Sequence, residues 1–206
     1  MVRTVKKPKQ RRHEIVKASR ELFLKQGYEN TTMQDVMTKL QIAKGTTYHY
    51  FKSKEALLEA VVEDMVTEYM AIVEKALNEC EGDALDKMRV LVTAGRVAPS
   101  QPDTVEDLHR PGNVGLHVRL LAVTLSRLAP LYARVISQGC EEGLFRTEHP
   151  LECAEMILAG IQFITDVGCY PWNPQDLKRR SRAIPRLFEN QLQAPKNAFN
   201  FLYEKI

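Results

Sequence analysis

Apolar residues recur at every third or fourth position along almost the whole chain. That spacing places them on one face of an α-helix, whereas a half-buried strand needs strict alternation, which no segment shows convincingly. Of the 206 residues, 44% are hydrophobic and 27% are charged, so the chain can bury a core. We therefore expect an all-α fold. The clearest helical stripe comprises Leu57, Leu58, Val61, Val62, Met65, Tyr69, Ile72, Val73 and Ala76.

Capping residues mark the ends of the first four predicted helices. Gly27 suits the left-handed position that ends the first helix. Thr32 and Asp35 have the spacing of a capping box at the start of the second helix, which runs to about Leu40. Ser53 can cap the fourth. The third and fourth helices are predicted at Lys44–Tyr50 and Ser53–Asn78.

Further helices are predicted beyond Gly82, and a connection with three prolines, Ala98–Gly115, interrupts them. A structureless loop of this length is usually functional or mobile, and Thr104 with Asp107 can start one helical turn inside it. Pro130 suits the first turn of a helix, and Pro185 should kink the last one. The predicted helices are Asp83–Val97, Val114–Leu128, Pro130–Glu142, Leu151–Cys169 and one capped by Asn173, with no element predicted after Pro195.

The charge of the chain is divided unevenly. Residues 1–54 contain 13 Lys and Arg against 4 Asp and Glu, a net charge of +9, and they begin with a basic arm, Met1–Arg12. Residues 55–206 contain 16 against 22, a net charge of −6. Such asymmetry indicates an anionic polymer or surface as the partner of the basic part. We place the domain boundary at Lys54, between domains 1–54 and 55–206.

Cysteine spacing and hydropathy indicate where the protein works. The four cysteines include no CxxC pair, which favours reduced, intracellular thiols over a disulfide scaffold. The chain has no signal-peptide pattern and no uncharged apolar run of 18 residues. We therefore expect a soluble cytoplasmic protein without a membrane partner. The cysteines are Cys80, Cys140, Cys153 and Cys169.

Signatures of catalysis and metal binding are missing from the sequence. The five histidines, His13, His49, His109, His117 and His149, have no metal-ligand spacing. No HExxH, GxSxG, GxGxxG or P-loop pattern occurs. We expect no metal, no cofactor and no enzymatic activity. The alternative from a different class is a helical enzyme with its site in a C-terminal cavity, around His109, His117 and Asp166.

Three short helices within the first 52 residues, on the basic part of the chain, predict a helix-turn-helix module. Its last helix, Lys44–Tyr50, is short enough to enter a major groove about 12 Å wide. Gly45 would let the backbone approach DNA closely, and Thr46, Thr47 and His49 offer hydrogen-bonding groups. The two tyrosines of this helix can reach phosphates or apolar base faces, but not both from one side.

The segment Ile42–Leu58, with the sequence IAKGTTYHYFKSKEALL, resembles the DNA-binding signature of the TetR family of bacterial transcription regulators. The resemblance implies a homodimer whose N-terminal modules read the two halves of a near-palindromic operator. It also implies C-terminal helices that dimerise and enclose a pocket for a small-molecule effector, whose binding releases DNA. Upstream, Ala18, Leu22, Phe23, Gly27, Tyr28, Thr31, Thr32, Met33, Asp35 and Val36 match the same family pattern.

The resemblance assigns roles to individual residues of the module. Thr32, Tyr48 and Lys54 correspond to phosphate contacts. Phe51 and Leu57 correspond to packing positions between the module and the long fourth helix. The groove-facing positions are Lys44, Gly45, Thr46, Thr47 and His49.

Two residues depart from the family pattern in the turn before the third helix. Ala43 replaces a capping Ser or Thr, which costs about 1 kcal/mol. Gln41 replaces a glycine, which forces a non-glycine residue towards positive φ at about 1–2 kcal/mol if the turn is kept. Both can alter the angle of the third helix and hence base specificity.

The resemblance places candidate effector contacts in the C-terminal domain, although ordinary core packing is the alternative for each apolar member. Asp166 lies on an apolar helix and needs a partner when buried. It either pairs with an arginine such as Arg119 or anchors a cationic effector. The candidates are Tyr69, Met88, Val92, His109, His117, Leu121, Phe163 and Asp166.

The overall expectation is a DNA-binding regulator with an N-terminal three-helix helix-turn-helix domain, joined by a long helix to a C-terminal helical ligand-binding and dimerisation domain. A repressor released by its effector is preferred; an activator or a ligand-independent regulator of the same fold is the alternative. For the dimer we expect a four-helix interface. This interface would combine small residues of one C-terminal helix with a Leu/Ile/Phe stripe on the other. The small residues are Ala154, Ala159, Gly160 and Gly168.

Overall fold

The protein is helical throughout the part of the chain that the structure, a computed structural model, describes: residues 7–97, 106–166 and 170–202. No strand occurs within these ranges, which confirms the all-α prediction. The predicted arm residues 1–6 and Thr104 lie outside them. The helices are α1 Pro8–Gln26, α2 Met33–Leu40, α3 Lys44–Tyr50, α4 Lys54–Asn78, α5 Ala84–Val97, α6 Val114–Glu141, α7 Pro150–Ile164 and α8 Pro174–Leu192. Short 3-10 turns occur at Pro111–Asn113 and Asn200–Leu202.

Two compact units divide the chain, and the division falls inside α4 and α6. The first unit comprises residues 1–67 and 101–120, and the second comprises residues 68–100 and 121–206. The domain boundary predicted at Lys54 stays a prediction. In the first unit, α1, α2, α3 and the start of α4 enclose a core whose fully buried members include Ile15, Phe23, Val36, Leu57 and Val61.

The second unit contains an aromatic cluster that the sequence did not predict. Phe199, which is fully buried, lies 5.8 Å from Phe145 and 5.3 Å from Phe188, measured between ring centroids. Arg89 lies over the ring of Phe201 at 5.1 Å. The segment after Pro195 therefore closes the core of this unit. Aromatic pairs at such distances contribute about 0.5–1.5 kcal/mol beyond the area that they bury.

The capping predictions are confirmed at three helix starts, those capped by Thr32, Ser53 and Asn173, whereas Asp83, predicted inside its helix, caps a fourth. The hydroxyl of Thr32 accepts a hydrogen bond from the backbone N–H of Asp35, and the Asp35 carboxylate accepts from the N–H of Thr32. Ser53 accepts from the N–H of Ala56. The same role is filled by Asp83 for α5 and by Asn173 for α8.

Several predicted helix boundaries are wrong. Helix α1 begins at Pro8, inside the predicted basic arm, because proline suits the first helical turn. Gly27 has a positive φ of 91°, but its ψ of 142° lies outside the left-handed helical region. Helix α7 ends at Ile164, not at Cys169, and the hydroxyl of Thr165 bonds the carbonyl of Ile161 there.

Pro130 does not divide two helices, since α6 continues through it from Val114 to Glu141. A proline inside a helix removes one hydrogen bond and costs about 3 kcal/mol. The residues around it, Leu128, Ala129, Leu131 and Tyr132, are all buried. Their burial offsets that cost, because each large apolar side chain contributes about 1.5–3 kcal/mol.

One described stretch, Pro111–Glu141, is long and apolar enough to cross a membrane by length and composition alone. The sequence analysis had found no uncharged run of this length, and Arg119 and Arg127 do interrupt it. Core helices of water-soluble proteins meet the same criterion. Leu116 and Ile136 of this stretch are fully buried, although only 28% of its most apolar 18-residue window is buried inside the protein.

Candidate nucleic-acid interface

Helix α3 presents Lys44, Gly45 and His49 to the solvent, with Thr46 and Tyr48 half-buried beside them. A Cβ added at Gly45 would meet no atom within 4 Å, so the backbone is open to close approach at this point. Lys44 and His49 are the hydrogen-bond donors on the exposed side of the helix. This arrangement can bind phosphate and base edges in a groove.

Thr47 does not lie on that exposed face. Its side chain is fully buried, and its hydroxyl is a buried polar group without a hydrogen-bond partner among the described residues. The sequence analysis placed Thr47 among the groove-facing residues, but on a seven-residue helix its position points it to the interior. We remove Thr47 from the candidate contacts.

Aromatic contacts arrange the exposed side chains of α3. The ammonium of Lys44 lies 5.7 Å from the ring centroid of Tyr48, one helical turn away. His49 and Tyr50 meet edge to face at 5.0 Å. Tyr48 and Tyr50 are both half-buried. Burial alone therefore does not distinguish Tyr48, which we expected at DNA, from Tyr50, which we expected to pack inwards.

The two other predicted phosphate contacts are engaged inside the module. The hydroxyl of Thr32 donates to the Asp35 carboxylate at 2.8 Å, as does its backbone N–H. These bonds hold the pKa of Asp35 below its usual value. The Lys54 ammonium donates to the carbonyls of Tyr28 at 3.0 Å and Glu29 at 3.3 Å. Of the three N–H groups of Lys54, one therefore remains for an external anion.

Lys54 also contacts the aromatic ring of Tyr28, with its ammonium 4.4 Å from the ring centroid. Burial, chiefly, raises the pKa of Tyr28, and the nearby Glu55 carboxylate adds to the rise. The hydrogen bonds of Lys54 and its contact with the Tyr28 ring together tie the turn between α1 and α2 to the first residue of α4. Lys54 thus positions the module in addition to any contact with DNA.

The turn between α2 and α3 has the strained geometry that the sequence predicts. Gln41 adopts a left-handed conformation with φ 52° and ψ 44°. Ala43 provides no side-chain cap for α3. The predicted packing positions are also confirmed, since Phe51 and Leu57 are buried.

Asn113, which the sequence analysis missed, links the module to the segment before α6. It is fully buried; its side-chain NH₂ donates to the carbonyls of Phe23 at 2.9 Å and Asp107 at 2.8 Å. Its side-chain oxygen accepts from the N–H of Tyr28 at 2.7 Å. Asn113 thereby adds a second hydrogen bond to the Phe23 carbonyl, which also accepts from the N–H of Gly27, and provides the acceptor for the N–H of Tyr28 just beyond α1. The only sequence signal was the length of the connection that contains it.

Neighbouring groups complete this attachment. The carbonyl of Gly112 accepts from the N–H of Glu29, and Arg110 donates to the carbonyl of Lys25. A Cβ on Gly27 would lie 3.2 Å from the Cα of Gly112, so the two glycines allow the backbones to approach. The positive φ of Gly27 makes a side chain unfavourable there in any case.

Two further cations lie near α3, and the first of them belongs to the predicted basic arm, Met1–Arg12. Arg12, on α1, lies over the ring of Phe51 at 5.1 Å and is exposed. Lys52 is exposed directly after α3. Arg119, one of the predicted partners for Asp166, forms an ion pair with Glu59 in the first unit.

The predicted effector residues are distributed over both units. His109 and His117 belong to the first unit, where their rings lie 4.9 Å apart. The other six belong to the second: Tyr69, Met88, Val92, Leu121, Phe163 and Asp166. Among these, Met88 is fully buried, Phe163 is exposed, and burial raises the pKa of Tyr69 to about 12. Each residue's role towards an effector stays a prediction.

Two family models match the chain. Residues 15–61 match the model described as bacterial regulatory proteins, tetR family. Residues 96–186 match the model described as tetracyclin repressor-like, C-terminal domain. The first match contains α2, α3 and the turn between them, and so covers the candidate interface.

Relatives of known identity agree with these matches. The HTH-type transcriptional repressor KstR2 of Mycolicibacterium smegmatis is 32% identical over 82 residues, which cover 38% of this chain and 40% of that protein. KstR2 of Rhodococcus jostii is 26% identical over 152 residues, 70% of this chain and 72% of that protein. A TetR-family regulator from Pectobacterium atrosepticum has the same fold, with a TM-score of 0.68 at 20% identity over 93% of this chain and 100% of that one.

Proposed function

Because this chain belongs to the TetR family and is a helix-turn-helix transcriptional regulator, we propose that it is a repressor that binds a near-palindromic operator as a homodimer. A small molecule releases it from DNA. The observation that carries the proposal is the exposed face of α3, with Lys44, Gly45 and His49 on the basic part of the chain.

In the proposed complex, α3 enters the major groove. Lys44, Gly45, Thr46 and His49 face the bases, and Tyr48 reaches a phosphate. The third N–H of Lys54 binds a second phosphate. Thr32 contributes by capping the start of α2 through its reciprocal hydrogen bonds with Asp35.

Exposed apolar side chains on the last two helices support the proposed homodimer. Met156 and Phe163 of α7 are 69% and 41% exposed, and Leu187 of α8 is 56% exposed. Large apolar groups at the surface favour a protein interface. The Leu/Ile/Phe stripe predicted for the last helix comprised Leu177, Ile184, Leu187, Phe188 and Leu192, and it needs correction because Ile184, Phe188 and Leu192 pack within the unit.

Release by an effector requires that the small molecule bind the DNA-incompetent arrangement more tightly than the competent one. We propose that the second unit holds the effector, with the six predicted residues of that unit as candidates. The matched families are regulators, not enzymes, and they are soluble proteins. We therefore also propose that the chain has no catalytic activity and acts in the cytoplasm.

The experiment compares single alanine variants of exposed lysines. Lys44→Ala should weaken binding to an operator duplex at least tenfold. If Lys44 contacts a phosphate, the slope of log K against log salt should also decrease in magnitude by about 0.9, whereas a lysine that binds only bases leaves the slope unchanged. Lys178→Ala, an exposed lysine of α8, is the matched control and should change neither quantity. Equal affinities of both variants and wild type would refute the proposed interface.

A further inference from the structure

His109 and His117 face each other across the 3-10 turn at Pro111–Asn113. Their ring centroids are 4.9 Å apart with an angle of 46° between the planes, and one ring nitrogen of each lies within 4.8 Å of the other. His117 is 8% exposed and His109 is half-buried. Their separation of eight residues matched no metal motif, so the sequence analysis expected no metal. The structure nevertheless brings the two imidazoles together.

Two neighbouring imidazole nitrogens suit a transition-metal ion. Neutral imidazole is a preferred ligand of Zn²⁺, Cu²⁺ and Ni²⁺. Zinc–nitrogen bonds of about 2.0–2.1 Å in a tetrahedral site place the two nitrogens about 3.4 Å apart. Small rotations of the two rings close the remaining distance. Two water molecules or other oxygen ligands would fill the remaining two positions of a tetrahedral site.

The position of this pair connects it to the DNA-binding module. Asn113 lies midway between His109 and His117 in sequence, and its side chain holds Phe23 and Tyr28 at the end of α1. An ion bound to both histidines closes a loop around Asn113. Such a closure restricts the conformations of the loop, in the same way as other metal clips.

We propose that His109 and His117 bind one first-row divalent transition-metal ion per chain, and that this ion holds the Arg110–Asn113 turn against α1. The metal site requires neither DNA binding nor an effector. It would make the attachment of the module sensitive to metal supply.

Calorimetric titration of the metal-free full chain with Zn²⁺, and separately with Co²⁺, tests the site. We expect about one equivalent bound by wild type, and at least tenfold weaker binding by His109→Gln and by His117→Gln. His149→Gln, which alters an exposed histidine elsewhere, should bind as wild type does. If the buried His117 variant fails to fold, the half-buried His109 variant decides. Undetectable binding by wild type, or undiminished binding by His109→Gln, would overturn the metal site.

Hydrogen exchange tests the second half of the proposal. The N–H of Tyr28 donates to Asn113, so Zn²⁺ should slow exchange in the peptide that contains Tyr28 in wild type but not in His109→Gln. Unchanged exchange in zinc-loaded wild type would refute the effect on the module. Neither measurement involves DNA, so failure here is distinguishable from failure of the proposed repressor function.

Discussion

The side-chain amide of Asn113 donates a hydrogen bond to the carbonyl of Phe23 at 2.9 Å, across 90 residues of sequence. Its other bonds reach Asp107 and the backbone N–H of Tyr28. A single buried side chain therefore joins the end of α1 to the segment that precedes α6.

Asn113→Ala should lower the free energy of unfolding by about 1–3 kcal/mol, because it removes three hydrogen bonds and leaves the N–H of Tyr28 without its acceptor. The measurement is chemical denaturation followed by circular dichroism. Asn190→Ala, at an exposed position of α8, serves as the control and should stay within about 0.5 kcal/mol of wild type. A loss of similar size in both variants would contradict the role given to Asn113.

Replacing threonine by valine should affect DNA binding at Thr46 but not at the adjacent Thr47. Thr47→Val removes a buried hydroxyl without a partner and should leave stability unchanged or raise it by about 1 kcal/mol, with DNA affinity retained. Thr46→Val removes a hydroxyl from the proposed groove contacts and should lower DNA affinity without unfolding the module. Reduced DNA affinity in a stable Thr47→Val variant would place Thr47 in the interface after all.

Gln41→Gly should stabilise the protein by up to about 1 kcal/mol, since Gln41 has a φ of 52° that glycine adopts without a steric penalty. Gln34→Gly is the matched control within α2, where glycine costs about 1 kcal/mol. Thermal denaturation of both variants is sufficient. Destabilisation by both would mean that the turn does not keep its left-handed residue in solution.

The capping box of α2 should make stability depend on pH. The pKa of Asp35 is lower in the folded chain than its usual value, because Thr32 donates two hydrogen bonds to the carboxylate. Its contribution is therefore present above the unfolded pKa of about 4 and is lost as the pH falls through the folded pKa. We expect Asp35→Ala to cost about 1 kcal/mol at pH 7 and to converge with wild type towards pH 3. Thr32→Ser keeps the cap and should behave as wild type.

Local features of the fold could be predicted from the sequence, whereas contacts between distant segments could not. The capping box at Thr32 and the left-handed Gln41 each depend on residues within one turn of helix. Asn113 acts on groups 85 and 90 positions away, for which a hydrophobic pattern carries no signal. Pro130 shows the converse, because a local helix-breaking preference was overridden by burial of its neighbours.

The candidate interface was predicted in part for the same reason. The exposure of Lys44 and His49 could be predicted, because α3 is the last helix of a recognisable helix-turn-helix motif. The burial of Thr47 depends on how a seven-residue helix is rotated against α1 and α2, which a motif does not specify. The engagement of Lys54 with Tyr28 and Glu29 likewise requires the folded turn.

The most direct test of the central proposal is selection of bound sequences from a random pool of duplex DNA by the full chain, repeated with Tyr48→Ala. We expect wild type to enrich a near-palindrome whose half-sites are about one helical turn apart, or a multiple of it, and Tyr48→Ala to enrich it much less. An enriched sequence without two-fold symmetry would contradict the homodimeric arrangement. Failure of folded wild type to enrich any sequence, or equal enrichment by Tyr48→Ala, would contradict the proposed interface.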